Sequence, residues 1–243
     1  MPEPILQVDG LDAGYVRDLP ILKRISVAVQ PGSLTVIIGP NGAGKSTLIK
    51  AIVGLVAVTA GSVRFDGQDI TGMRPDRLAR VGLAYVPQTD NIFRSLTIQQ
   101  NLELTLRGRD IDMAARIDEL YTQFPVLAER RRSRAGVLSG GQRQFVAVAM
   151  ALATRPRLIL MDEPSAGLSP QAAETVLDHT RSLTRQGIAV LLVEQNVKQA
   201  LARGDHCYVF AEGRNQIDGH AQALLEDPEL GRIYLGGRRR EPA

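Results

Sequence analysis

Short apolar or alternating runs, bounded by turn residues, fill the first third of the chain: "ILQVDGLDAGY", "ISVAVQPGS", "LTVIIG" and, after a helical stretch, "GSVRFDGQDI". Alternation with period two places every second side chain on one face, so these runs predict strands. Between Gln88 and Gly136 the pattern becomes mostly helical, with "TIQQNLELTLRG" and "DMAARIDELYTQFPVLAERRR" on either side of a break rich in Gly and Asp. From "GGQRQFVAVAMALAT" onward, helices alternate with "LILMD" and "AVLLVE", whose unbroken apolar runs fit strands buried on both faces of a parallel sheet. The segment "HCYVFAEGRNQIDG" predicts a hairpin, and "AQALLEDPELGRIYL" a closing helix. No internal repeat and no heptad run interrupts this order.

At 243 residues, 44% hydrophobic and 23% charged, the chain suits one α/β unit with a smaller helical part inserted. A formal net charge of +3 permits a nucleic-acid partner without suggesting one. Aromatic residues make up only 4% and tryptophan is absent, which disfavours platforms for base stacking. No apolar run reaches membrane-spanning length, and "MPEPILQVDG" lacks the regions of a secretory signal, so the chain reads as cytosolic and non-spanning. Cys207 is the single cysteine, which rules out an internal disulfide; it reads as a small buried hydrophobe in its strand. The basic runs Glu129 to Arg134 and Arg238 to Arg240 read as a solvated helix end and a frayed terminus.

Candidate chemistry begins at "GPNGAGKS", which comprises Gly39, Pro40, Asn41, Gly42, Ala43, Gly44, Lys45 and Ser46. It fits G-x-x-x-x-G-K-[ST] and stands where a phosphate loop must, after an apolar strand and before a helix that continues through Thr47. Glycines let backbone N–H groups wrap an anion, and the helix N-terminus adds a favourable dipole. Lys45 can then reach the β- and γ-phosphates, and the Ser46 hydroxyl can ligate Mg²⁺. In "LILMDEP" a buried strand delivers two acids at its C-terminal end, the edge at which open parallel sheets bind ligands. Asp162 suits a Mg²⁺ ligand, direct or through water, and Glu163 suits a base that polarises the attacking water. The two motifs together indicate hydrolysis of a nucleoside triphosphate.

The run "LSGGQ", which is Leu138, Ser139, Gly140, Gly141 and Gln142, immediately precedes a helix. Ser139 can cap that helix, while Gly140 and Gly141 allow close backbone approach to an anion. Here the sequence resembles an ATP-binding cassette domain. The resemblance implies a P-loop NTPase core with a mixed, mainly parallel sheet, an antiparallel β subdomain and an inserted helical subdomain. Residues 1–87 and 143–243 would form the core and β subdomain, and 88–142 the helical part with the signature run. It further implies that Leu138–Gln142 cap the γ-phosphate of an ATP held by a second cassette subunit, that Tyr15 stacks on adenine, and that Gln88 approaches Mg²⁺ and water while communicating with a membrane partner. Pro164 to Pro170, "PSAGLSP", would contact the opposing subunit.

The family usually carries a histidine at the end of the next strand, but here that position is Gln195, and the 3 histidines lie elsewhere. A glutamine can donate a hydrogen bond to phosphate but cannot become cationic, so turnover is expected to be lowered and not abolished. "VEQN" and "RIYLGG" resemble the second ATP-binding subunit of branched-chain amino-acid importers; urea and amide importers carry similar sequences. The resemblance therefore implies an ATP- and Mg²⁺-dependent import motor at the cytoplasmic face of the inner (plasma) membrane. Its partners would be a second cassette subunit, two integral-membrane permeases and, indirectly, an extracytoplasmic binding protein. A soluble cassette ATPase and a binding-only subunit remain as alternatives.

Overall fold

The computed structural model describes residues 3–16, 18–227 and 230. The chain opens with strands β1 (Leu6–Gly14), β2 (Leu22–Val29) and β3 (Leu34–Ile38), followed by helix α1 (Lys45–Ile52), the hairpin β4 (Ala57–Phe65) and β5 (Gln68–Asp69), α2 (Pro75–Val81) and β6 (Leu83–Val86). Helices α3 (Ile98–Leu106), α4 (Met113–Gln123) and α5 (Pro125–Glu129) come next, then a 3-10 turn (Ala135–Val137) and α6 (Gly140–Ala153). The remainder is β7 (Leu158–Asp162), α7 (Pro170–Thr184), β8 (Ala189–Val193), α8 (Val197–Leu201), the hairpin β9 (His206–Ala211) and β10 (Arg214–His220), and α9 (Ala221–Leu225).

The strands form two sheets, a four-stranded one in the order β2-β1-β4-β5 and a six-stranded one in the order β10-β9-β3-β8-β7-β6. The first is antiparallel throughout. In the second, every pair from β9 to β6 is parallel and only β10 runs against its neighbour, so the expected mixed, mainly parallel sheet is found. Alternate residues of the central strands enter opposite cores. Val36, Met161 and Leu192 pack with the apolar faces of α3, α6 and α7, whereas Ile37, Leu160 and Leu191 pack with α1 and the antiparallel sheet. A strand with no solvent face favours apolar side chains along its length, which accounts for the apolar runs of β7 and β8; Thr35 in β3 is the one polar residue inside β3, β7 or β8 before the strand end.

Helix starts are set locally. Thr97 and Ser139 each cap a helix through a capping box completed by Gln100 and Gln142, and Pro170 stands at the first position of α7 behind the cap Ser169. Two elements go unannounced by the hydrophobic pattern. Helix α2 buries only Leu78, too little for a periodic stripe, and β6 is four residues long before Pro87. The expected closing helix begins as α9 and is interrupted at Glu226 and Asp227. Most of its continuation, with Arg232 to Gly237 and Arg238 to Arg240, lies outside the described residues.

Because β6, β7, β8 and β3 are parallel neighbours, their C-terminal ends open onto one edge of the sheet. That edge receives Gln88, Asp162 with Glu163, Glu194 with Gln195, and the loop from Gly39 to Ser46.

Candidate active site

The phosphate loop is held in place by its own backbone. Gly39 takes a φ of 154°, and a Cβ there would stand 2.2 Å from the carbonyl oxygen of Phe210 in β9, so only glycine lets the loop leave β3 at this point. Lys45 folds back over the loop, its Nζ donating to the carbonyls of Gly39 at 2.9 Å and Pro40 at 3.3 Å. Burial lowers its affinity for a proton, and the carboxylates of Glu163, Asp162 and Glu194 oppose that effect. The result is a buried ammonium held by neutral carbonyls at the mouth of a cleft of about 210 Å³ lined by Asn41 to Thr47, Ile21 and Glu163. An anion entering there would meet a desolvated cation and the N–H groups at the start of α1.

The Ser46 hydroxyl donates to Asp162 Oδ1 at 2.8 Å, joining α1 to the end of β7. Burial pushes the Asp162 carboxyl up, and this hydrogen bond pulls it back toward the ionised form. A hydroxyl and a carboxylate in contact are hard oxygen donors of the kind Mg²⁺ accepts, and Mg²⁺ bound with a nucleotide needs few protein ligands. Two such donors are too few to enclose an ion alone, and the pair fits a site that shares its ligands with phosphate.

Glu163 follows Asp162 with a φ of 48°, in the left-handed region that side chains disfavour. Its N–H donates to Val193 O at 2.9 Å, which fixes the turn against β8. Two amides converge on its side chain: Gln88 Nε2 and Gln195 Nε2 each donate to Oε2 at 2.7 Å. Among the described residues no hydrogen bond occupies Oε1. The structure thus brings together the phosphate loop, Asp162, Glu163, Gln88 and Gln195, which sequence reasoning had placed in one site.

Tyr15 is 61% exposed beyond the cleft, with Lys50 Nζ 3.3 Å from its hydroxyl and 5.8 Å from its ring centre. Leu138, Ser139, Gly140, Gly141 and Gln142 take no part in the cleft around the phosphate loop. Gly140 and Gly141 pack instead beside the loop that follows Glu163 and the start of α7: a Cβ on Gly140 would stand 2.7 Å from Leu168, and one on Gly141 3.3 Å from Ala172. Gln142 is engaged in capping α6, accepting the Ser139 N–H at 3.1 Å. His179 lies between Phe124 and Phe145, tilted to the first ring and edge-on to the second, and His206 and His220 face each other across β9 and β10. Cys207 is buried, and its thiol is pushed up by burial.

Sequence reasoning missed Glu194. It is 1% exposed, and its carboxylate accepts the Ser165 N–H at 3.0 Å, the Ser165 hydroxyl at 2.8 Å and the Gln195 N–H at 3.2 Å. The signal was available: like Asp162, it is the first acid to follow an unbroken apolar run.

A fold with these strand ends, this loop and this pair of acids defines a nucleotide hydrolase, and comparison with known proteins is specific. Residues 22–166 match the family described as "ABC transporter", and the chain belongs to that family as an ATP-hydrolysing cassette. It is 39% identical to the "Probable branched-chain amino acid transport ATP-binding protein LivF" of Archaeoglobus fulgidus, over 96% of this chain and 99% of that one. It is 37% identical to the "High-affinity branched-chain amino acid transport ATP-binding protein BraG" of Pseudomonas aeruginosa, over 92% and 96%. Among solved structures, the ADP conformation of MJ1267, an ATP-binding cassette of an ABC transporter, superposes with a TM-score of 0.85 at 31% identity, covering 97% of this chain and 100% of that one.

Proposed function

We propose that this chain is the ATP-hydrolysing subunit that energises import of branched-chain or related amino acids through a membrane transporter. The observation that carries the catalytic part is the convergence of Gln88 and Gln195 on one oxygen of Glu163 beside the phosphate loop. In this reading Glu163 is the general base. The two amides hold Oε2 and leave Oε1 to accept a proton from the water that attacks the γ-phosphorus. Lys45 exchanges its carbonyl partners for β- and γ-phosphate oxygens, and the N–H groups of Gly42 to Thr47 bind the remainder. Ser46 and Asp162, with the amide oxygen of Gln88, would hold Mg²⁺, which would supply positive charge to offset that of the phosphates. Gln195 can also turn its amide toward the γ-phosphate, as the neutral counterpart of a histidine. Tyr15 would stack on adenine, and Leu138–Gln142 would complete the site of a second cassette subunit.

The import reading is supported by the two branched-chain transport relatives, each aligned over nine-tenths or more of both chains. We read as the partner surface an apolar groove of about 260 Å³ between α2, β6 and α6, lined by Leu55, Leu78, Tyr85, Pro87 and Met150, the Pro87 end of which adjoins Gln88 in sequence. Burial pushes the Tyr85 phenol there up to about 12, so it stays neutral at any physiological pH. Among the described residues no helix is long and apolar enough to cross a membrane, so we assign the membrane passage to separate permeases, one seated in this groove and within reach of Gln88 through Pro87. The chain would then sit at the cytoplasmic face, paired with a second cassette subunit.

The test is purification of the tagged full-length chain from detergent-solubilised membranes of its source, with identification of every co-purifying chain. Recovery with two polytopic permeases and a second cassette is expected, together with loss of labelled leucine or valine uptake when the chain is deleted. Recovery as a species free of membrane subunits, with uptake unchanged, would contradict the proposal.

A further inference from the structure

Glu194 is a buried acid that the scheme above does not use. A carboxylate at 1% exposure with no ion-pair partner among the described residues is costly to hold, and burial pushes its carboxyl up. Such a group persists where hydrogen bonds compensate, and here three donors do so: the N–H and O–H of Ser165 and the N–H of Gln195. All three belong to the two segments that carry Glu163 and its partner amide. An apolar residue would fill the same volume without desolvation cost, so the acid indicates a positional demand.

That demand can be located. The turn after β7 places Glu163 at a φ of 48°, a conformation that relaxes unless the neighbouring backbone is restrained. Three consecutive residues at the end of β8 restrain it at three points. Val193 accepts the Glu163 N–H through its carbonyl, Glu194 grips Ser165 two residues further on, and Gln195 donates to the Glu163 carboxylate. The Glu194 carboxylate also fixes the Gln195 backbone from which that amide extends. It therefore sets both members of the Glu163–Gln195 pair with one side chain, beside a cleft of about 260 Å³ shared by Glu163, Ser165, Glu194 and Gln195.

We infer that Glu194 is a positioning residue for ATP hydrolysis, which acts through Ser165 and the Gln195 backbone to hold Glu163 at the geometry of attack. The inference rests on the reading of Glu163 as the base. It separates two kinds of residue at this edge, those that bind nucleotide and those that only aim the base. Loss of Glu194 is expected to lower kcat and leave ATP affinity within about twofold, because its three hydrogen bonds go to Ser165 and Gln195 and none to the phosphate loop, where Glu194 is only the last of three carboxylates acting at a distance on Lys45.

The experiment is steady-state ATP hydrolysis by the full-length chain, under conditions in which the natural chain turns over, with Tm recorded with and without Mg-ATP. Glu194→Gln keeps the volume and one acceptor; it is expected to lower kcat about tenfold or more, since small misplacement of a catalytic group is costly, with KM for ATP within about twofold and the ATP-induced rise in Tm retained. Ser165→Ala is expected to lower kcat by about threefold, Ser165→Thr to restore it, and the double variant to fall little below Glu194→Gln because both changes break the same hydrogen bond. A natural kcat in Glu194→Gln, a rise in KM that matches the loss in rate, or losses that multiply in the double variant would overturn the inference. If Glu194→Gln does not fold, an unchanged kcat in Ser165→Ala overturns it instead. Glu163→Gln, assayed in parallel, reports separately on the base: if that variant still turns over, it is the assignment of Glu163 that fails.

Discussion

Glu163 combines a left-handed backbone, two amide donors on one carboxylate oxygen and a second oxygen that accepts none among the described residues. The strain of such a residue, on the order of 1 kcal/mol or more, is offset by the hydrogen bonds that hold the turn. The restraint keeps the carboxylate aimed before nucleotide arrives. Gln195 is the residue that most distinguishes this site, because it supplies a neutral donor where a histidine would supply one that can carry charge. Charge-assisted hydrogen bonds are about twice as strong as neutral ones, so Gln195→His is expected to raise kcat by about threefold or more, and an unchanged rate would contradict that role. The sequence made Gln195 legible through its departure from a pattern, and it made Asp162 and Glu163 legible through their place after an apolar strand. Glu194 carries the same mark as Asp162, but its meaning depends on Ser165 lying opposite, a pairing across 29 positions that no local pattern records.

At the scale of elements, strands β7 and β8 were readable because burial on both faces demands an apolar run, broken in β7 only by Asp162 at its end. Elements stabilised by one contact were not: α2 buries a single leucine, and β6 takes its identity from pairing with β7. Helix α7 shows how packing creates a property absent from sequence. Its His179 is wedged between Phe124 and Phe145, with Nε2 buried and unpartnered among the described residues, and burial lowers its pKa below the ordinary 6.5. The folded chain then binds fewer protons here than the unfolded chain, so this residue costs stability progressively as pH falls below about 6.5 and adds no pH-dependent cost above it. A His179→Leu variant is expected to lose less Tm than the natural chain between about pH 7.5 and 5.5, with shifts from the buried acids common to both. An equal or larger loss in the variant would show that His179 is not desolvated in this way.

At the scale of the whole molecule, four parallel strands bring residues from all three thirds of the chain to one edge, and an apolar groove that includes Pro87, the neighbour of Gln88, lies close by. The fold class was legible because motif order and strand pattern agree. The apolar groove was not, since its lining is drawn from α2, β6 and α6 and becomes a surface only once these pack. The account depends most directly on Glu163 being the base that makes this cassette a hydrolase. The decisive measurement is ATP turnover and ATP binding by Glu163→Gln in the full-length chain. Loss of turnover by about 100-fold or more, with ATP still bound, is the predicted result for removal of a general base. Turnover at the natural rate would contradict the account at its centre.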